Sequence, residues 1–312
     1  MMEPGLLKSA DWPVLIDLYF FLGGIAGGAF VIATIANLLD GERYRDIVRV
    51  GYYIAFLAVL PGPIILTVDL GLPTRFLNML MVAKPSLEIG MGAVTVGPFH
   101  LKPFSPMSAG AWGLLAFSLF AFLAALDVFL EQRGGQSMQT FRVVVGVIGG
   151  FFGFFLAAYP GVLLGATARP LLVSAHWLGA LFLAVGASTG GAAIALILSM
   201  LGGQRSDALT RLMRFTAFAL VVQVAALALF VLAVSTAGSA GIARALAQLL
   251  TGPYGVPFWL GAVVIGILAP LALQFGGVIQ RTAPAMTALV CVFILIGGFV
   301  VKYVIIAAGQ AT

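Results

Sequence analysis

Charge is what this chain has least of. Lys, Arg, Asp and Glu make up 9% of its 312 residues against 62% hydrophobic, and the mean hydropathy is +1.13. Those values exclude a soluble globular domain and point to a polytopic membrane protein. Cysteine is nearly missing: Cys291 stands alone, which excludes an internal disulfide and a Cys-ligated cluster, so any iron–sulfur chemistry needs a partner. Histidine is confined to His100 and His176. Bis-His haem ligation needs two histidines on facing helices at matching depth, and His100 falls in a loop, so neither haem nor metal is expected in this chain. The first apolar run, from Val14, lacks a basic leader and outlasts a signal-peptide core, so it reads as a retained first span. The net charge of +5 is dispersed over short loops and excludes a nucleic-acid surface.

What is present is a series of long apolar runs. Measured against the roughly 20 residues that cross a bilayer, they predict eight helices, at about 14–39, 47–68, 107–129, 141–164, 174–200, 212–236, 257–279 and 285–308. The fold class is an all-α integral membrane protein, a single polytopic domain over 1–312. A segment 1–13 precedes helix 1, and helices 6–8 occupy 201–312. The connections near 40–46, 130–140, 201–211 and 280–284 carry nine basic residues with their flanks, against seven spread over longer stretches on the other side. Counting Lys and Arg puts the short connections in the cytoplasm and both termini outside.

The longest connection, 69–106, holds prolines at 73, 85, 98, 103 and 106. Its length favours a functional element, and AKPSLEIGMGAVTVGPFHLKPFSP reads as a hairpin-like cover; a plain solvated loop is the alternative. The second excursion, 235–256, is expected to include a short surface helix. Gly23/Gly27, Gly24/Gly28, Gly149/Gly153, Gly161/Gly165 and Gly186/Gly190 repeat the spacing of small residues that lets helix backbones touch in lipid. GGAFVIA at 27–33 and GGAAIA at 190–195, four helices apart, hint at two related four-helix halves.

Helical periodicity sorts the polar groups. Asp17, Phe21, Gly24 and Gly28 share one face of helix 1, so Asp17 is expected to look into the bundle. His176, Gly179, Leu183, Gly186 and Gly190 predict the same for His176. Phe152, Phe155 and Tyr159 line one face of helix 4 just before Pro160, where a missing amide can bend the helix. These groups and Asp69 all fall at the outer ends, with Arg75 and Arg169 just beyond. Taken singly, each has a structural explanation as belt anchor, end charge or loop charge; together they mark a candidate site, because ionisable groups within spans usually lie on a substrate or proton path. Asp127 is the main exception, near the inner end of helix 3. Gln223 and Gln274 are expected to bond between helices, and Lys302 to snorkel outward.

FLGGIAGGAF at 21–30, DLGLPTRFLNML at 69–80, SPMSAGAW at 105–112, YPGVLLGATARPL at 159–171 and LGALFLAVGASTGGAAIAL at 178–196 resemble the NrfD/PsrC family, the membrane subunits of polysulfide-reductase-type complexes. The matches run in order through most of residues 15–200, helices 1–5. The resemblance implies a haem-free, eight-helix anchor in a bacterial or archaeal cytoplasmic membrane. Such an anchor exchanges electrons between a quinone, menaquinone or ubiquinone, and an iron–sulfur subunit on the outer face, which serves a catalytic subunit of molybdopterin type. The quinone would bind among the first four helices near that face.

Quinone chemistry moves two protons with two electrons, so its site needs groups that bond the ring oxygens and exchange protons. By resemblance Tyr159 is the partner of a ring oxygen and Asp17 the acid of helix 1. Asp69 either relays protons outward or holds Arg75 and fixes the loop. Arg75, Arg169 and His176 complete the expected cofactor-binding set. A secondary transporter, with two halves and polar groups at the midplane, and a purely structural anchor are the alternatives. Thr34, Asn37, Asp127, Gln223 and Lys302 do not line up in the sequence as a proton route.

Overall fold

A computed structural model describes residues 12–80, 94–96, 99–101, 105–136, 138–167, 169–173, 175–201, 207–276 and 284–311. The N-terminal segment 1–11, most of the loop from 81 to 104, and parts of the connections around 201–207 and 276–284 lie outside the described residues. Among those described, eight helices are long and apolar enough to cross a membrane, and seven of the eight fall within a few residues of the predicted spans at both ends.

α1 is Val14–Asp40. α2, Arg45–Val59, runs on as α3, Pro61–Asp69, in one span, with Pro61 and Pro63 entering the second part. A 3-10 turn, Pro73–Met79, follows. β1, Val94–Val96, pairs antiparallel with β2, Phe99–Leu101, which is the hairpin expected of the long connection. α4 is Pro106–Gln132 and α5 Gln139–Gly165, continuing through Pro160. The short α6, Pro170–Val173, precedes α7, Leu178–Met200. α8 is Asp207–Thr236, and α9, Ala240–Leu250, is the helix expected in the second excursion. The seventh span is π-helical over Pro257–Leu268 and ends as α10, Ala269–Phe275. α11, Pro284–Gln310, is the last.

The backbone amide and carbonyl of Trp12 bond the side chain of Gln310 at 2.5 and 3.1 Å, so the ends of the first and last helices meet. That side of the bundle is the terminal end; the side bearing 41–44 and 133–136 is the loop end. The helices pack as two groups of four, α1 with α2–α3, α4 and α5, and α7 with α8, the seventh span and α11. The groups meet chiefly where α1 lies against α7.

Glycine explains that seam. A Cβ on Gly27 would run into the carbonyl of Gly153 on α5, and one on Gly28 into the carbonyl of Gly186 on α7. A Cβ on Gly190 would lie 2.5 Å from the amide of Ala29 and 2.6 Å from the carbonyl carbon of Gly28, so the two GG motifs lie against each other at the molecular centre. Adjacent glycines point about 100° apart around a helix, which lets α1 press one backbone seam on each half. In lipid, where the hydrophobic effect does not drive helices together, such close approach is the main source of packing energy.

Candidate functional site

At the terminal end, α1, α3, α4 and α5 enclose a cavity of about 220 Å³. Tyr159 and Tyr19 contribute phenols, Asp69 a carboxylate, Trp12 an indole, and Ile16 and Leu163 apolar wall. Tyr159 is 6% exposed and stacks on Phe155, with ring centroids 5.3 Å apart. Its position depends on Gly110, where any side chain would fall on the phenol ring, as one on Gly113 would fall on Phe155. The glycine of SPMSAGAW is thus the space into which Tyr159 fits. Gly62 does the same, more loosely, for Tyr19, 3.2 Å from its ring.

Asp69 is the last residue of α3 and is exposed. A carboxylate at a helix C-terminus is disfavoured by the helix dipole, by roughly 0.3–1 kcal/mol, so helix stability does not account for it. The chain turns immediately after it: Gly71, at φ 37°, donates from its amide to the carbonyl of Asp69 at 2.9 Å. Among the described residues, the buried Nε1 of Trp12 has no partner, and the phenols of Tyr159 and Tyr19 line the same wall. The wall therefore offers three hydrogen-bond donors and one acid.

Of the six residues singled out in the sequence, the structure brings Tyr159 and Asp69 together. Asp17 is elsewhere. It is 2% exposed with Oδ1 unpartnered among the described residues, so the prediction that it faces inward holds. Its stripe, however, packs on the other half of the bundle: Gly24 and Gly28 meet Gly186, and Phe21 meets Phe299 edge-on. Asp17 does not line the cavity of Tyr159. His176 is also corrected. α7 begins at Leu178, not 174, which leaves His176 exposed in the turn before it. Arg75 is exposed in the 3-10 turn, and no ion pair joins it to Asp69 among the described residues. Arg169 donates to the carbonyl of Gln310 at 2.9 Å. Through the two Gln310 bonds it buttresses Trp12, behind the cavity wall rather than in it.

Two further expectations change. Lys302 does not snorkel: it is 0% exposed, donates to the carbonyl of Phe20 at 2.6 Å and lies over the ring of Phe182. The loop end is not poor in clustered charge either. Arg142, counted in the sequence with the loop charges, is buried between Asp127 and Glu131 at 2.5 Å each, and Arg45 bonds Glu131 at 2.9 Å. Breaking such a buried pair costs about 3–5 kcal/mol, so this cluster locks α2, α4 and α5. Gln223 does bond between helices, accepting from Ser188 at 2.8 Å; Nε2 of Gln274 has no partner among the described residues.

Tyr19 and Trp12 were missed in the sequence. The signal for Tyr19 was its place on the α1 face opposite the Gly24/Gly28 seam; nothing in the sequence marked Trp12.

The family profile described as "Polysulphide reductase, NrfD" matches residues 3–312. The chain belongs to the NrfD family. Among NrfD-type relatives it is 27% identical to "Protein NrfD homolog" of Haemophilus influenzae, over 96% of this chain and 95% of that one. It is also 27% identical to a chain of the polysulfide reductase of Wolinella succinogenes, over 96% and 93%. A shorter stretch of 86 residues, 28% of this chain and 20% of the relative, is 24% identical to a subunit of the selenate reductase of Mesobacillus selenatarsenatis.

Proposed function

We propose that this NrfD-family chain is the quinone-exchanging membrane subunit of a multi-subunit reductase, passing electrons between the quinone pool and an iron–sulfur subunit that serves a separate catalytic subunit. The observation that carries the reading is the cavity joining Tyr159 to Asp69. At about 220 Å³ it is below the roughly 300–1,000 Å³ of sites that enclose whole drug-sized ligands, which suits a ring headgroup whose isoprenoid tail stays in lipid. Its apolar wall with a few convergent donors fits a flat molecule bearing two oxygens.

A quinone bound there supplies the two-electron, two-proton couple. The Tyr159 hydroxyl donates to one ring oxygen, and Tyr19 or the Trp12 indole to the other, fixing the ring. Asp69, exposed at the mouth, exchanges protons between the cavity and water. Two relatives are named as parts of larger enzymes, one of a polysulfide reductase and one of a selenate reductase, which supports assembly with other subunits. The Lys and Arg distribution supports a terminal end on the outer face, and the family resemblance supports a bacterial or archaeal cytoplasmic membrane. There Leu72, Phe76 and Leu77, each about half exposed beside Asp69, offer an apolar platform for the iron–sulfur subunit.

Tyr159→Phe tests the reading, because it keeps the ring and deletes the donor. In the intact complex, quinol turnover is expected to fall about tenfold or more, with the partner subunits still copurifying. Unchanged turnover and quinone affinity would place the site elsewhere.

A further inference from the structure

The cavity of Tyr159 is built by the first group of four helices, yet part of its wall is held by the last helix of the second group. Trp12 precedes α1, lies against Phe20 with ring centroids 6.0 Å apart, and lines the cavity with Tyr19 and Tyr159. An indole N–H donates and cannot accept. Its Nε1 is buried without a partner among the described residues, and a buried donor left without an acceptor is costly. A phenol of the same wall can turn its hydroxyl to donate or to accept; the indole needs an acceptor brought by a ligand.

The place of that N–H is set from α11. The side-chain amide of Gln310 grips the main chain of Trp12 twice: Oε1 accepts from the Trp12 amide at 2.5 Å, and Nε2 donates to the Trp12 carbonyl at 3.1 Å. Two bonds to one planar group fix rotation as well as position, which a single bond does not. Gln310 is itself fixed. Its own carbonyl, at the end of α11 and so without an intrahelical donor, accepts from Nη1 of Arg169 at 2.9 Å, and a cation is favoured at that end of a helix. On the other side of Trp12, the ring of Pro13 restricts the backbone at φ −68°, and the Pro13 carbonyl accepts from the Ile16 amide at 2.8 Å. Trp12 is therefore clamped between the first turn of α1 and Gln310.

We propose that Gln310 is a positioning residue for quinone binding: through the main chain of Trp12 it holds the indole N–H as the fixed donor to the second ring oxygen, the one Tyr159 does not take. Quinone and quinol both present oxygen lone pairs there, so the bond exists before and after electron transfer. An interaction made equally in the bound and transition states shows in KM and not in kcat. The proposal rests on the quinone reading.

The test uses the intact complex, with steady-state oxidation of decylubiquinol or dimethylnaphthoquinol, whichever the wild type turns over faster, and binding of the same compound by ultrafiltration. Gln310→Met, which keeps the length of the side chain and deletes both bonds, is expected to raise KM and the dissociation constant about three- to tenfold, with kcat within about twofold. Trp12→Phe, which keeps an aromatic ring and deletes the donor, is expected to do the same. The two changes together are expected to cost no more than one alone, because Gln310 acts through the indole. A residue that only staples two helix ends would add its full effect to that of Trp12→Phe, or lower yield alone. Additive effects, or an unchanged KM in either single variant, overturn the proposal. If Gln310→Met does not assemble, Arg169→Gln takes its place: a raised KM that disappears in the Trp12→Phe background is expected, and an unchanged KM overturns the proposal. Tyr159→Phe is measured alongside. Slow turnover in Tyr159→Phe with no KM effect in the Trp12 and Gln310 variants defeats this proposal alone, whereas unchanged turnover and affinity in Tyr159→Phe defeat the quinone reading and this proposal with it.

Discussion

Gly110 and Tyr159 are fitted to each other: a methyl group on Gly110 would lie 2.2 Å from Cζ of the phenol ring and 2.3 Å from its hydroxyl oxygen. The ring is confined on its other side by Phe155, so Gly110→Ala must push the hydroxyl out of place. Overpacking of this kind costs about 1–3 kcal/mol, which a bundle of this size tolerates. Quinol turnover is expected to fall about as far as in Tyr159→Phe, with normal amounts of assembled complex. Full activity in Gly110→Ala would mean that the position of the phenol does not matter.

Asp69 has no ion pair to lose among the described residues, and this separates its two predicted roles. Asp69→Asn is expected to slow turnover while the iron–sulfur subunit still copurifies, and Arg75→Ala to leave turnover near wild type. Loss of the partner subunit in Asp69→Asn would instead make the carboxylate part of the docking surface.

The central seam makes a sharp prediction about glycine. Gly28 meets backbone, which cannot rotate away, whereas Gly150 has nothing within 4 Å of where its Cβ would be. Gly28→Leu is expected to abolish folded subunit in the membrane fraction, and Gly150→Ala to leave yield and thermal stability unchanged. Size-exclusion profiles in detergent read both.

Orientation can be checked without reference to function. In a Cys291→Ala background, which removes only a buried thiol, a cysteine at Thr74 is expected to react with a membrane-impermeant reagent in whole cells. One at Glu42 is expected to be protected until the membrane is opened. Both positions are exposed, so the reverse pattern would place the termini inside.

The spans were legible because apolar length and composition are properties of the chain alone, and the glycine spacing because close contact in lipid permits little else. Faces were legible too: Asp17 does share its stripe with Gly24 and Gly28. What periodicity cannot supply is the identity of the neighbour. Gly23 and Gly27 turn to α5, and Gly24 and Gly28, one step around the helix, to α7. Asp17 and Tyr159 were therefore joined in one site on the strength of a common depth, when they lie on opposite sides of α1. His176 was misplaced for a smaller reason, a helix that begins four residues later than its apolar run. Lys302 was sent outward because long cations near helix ends usually reach the interface; the sign to the contrary was the glycine pair 297–298 one turn away, which brings α11 close enough to bury it.

α1 also sets the gauge of the whole molecule. Ordinary helix pairs stand about 8–10 Å apart because side chains hold them there, but along Gly27 and Gly28 main chain meets main chain. A leucine-rich substitute of equal hydropathy would cross the bilayer equally well and act as a spacer, widening the gaps on both flanks at once. Tyr19 would draw back from Tyr159 on one flank, and the Phe20 carbonyl from Lys302 on the other. The smallest residues of the chain thereby fix the tolerances of the Tyr159 cavity on one flank and of the Lys302 contacts on the other.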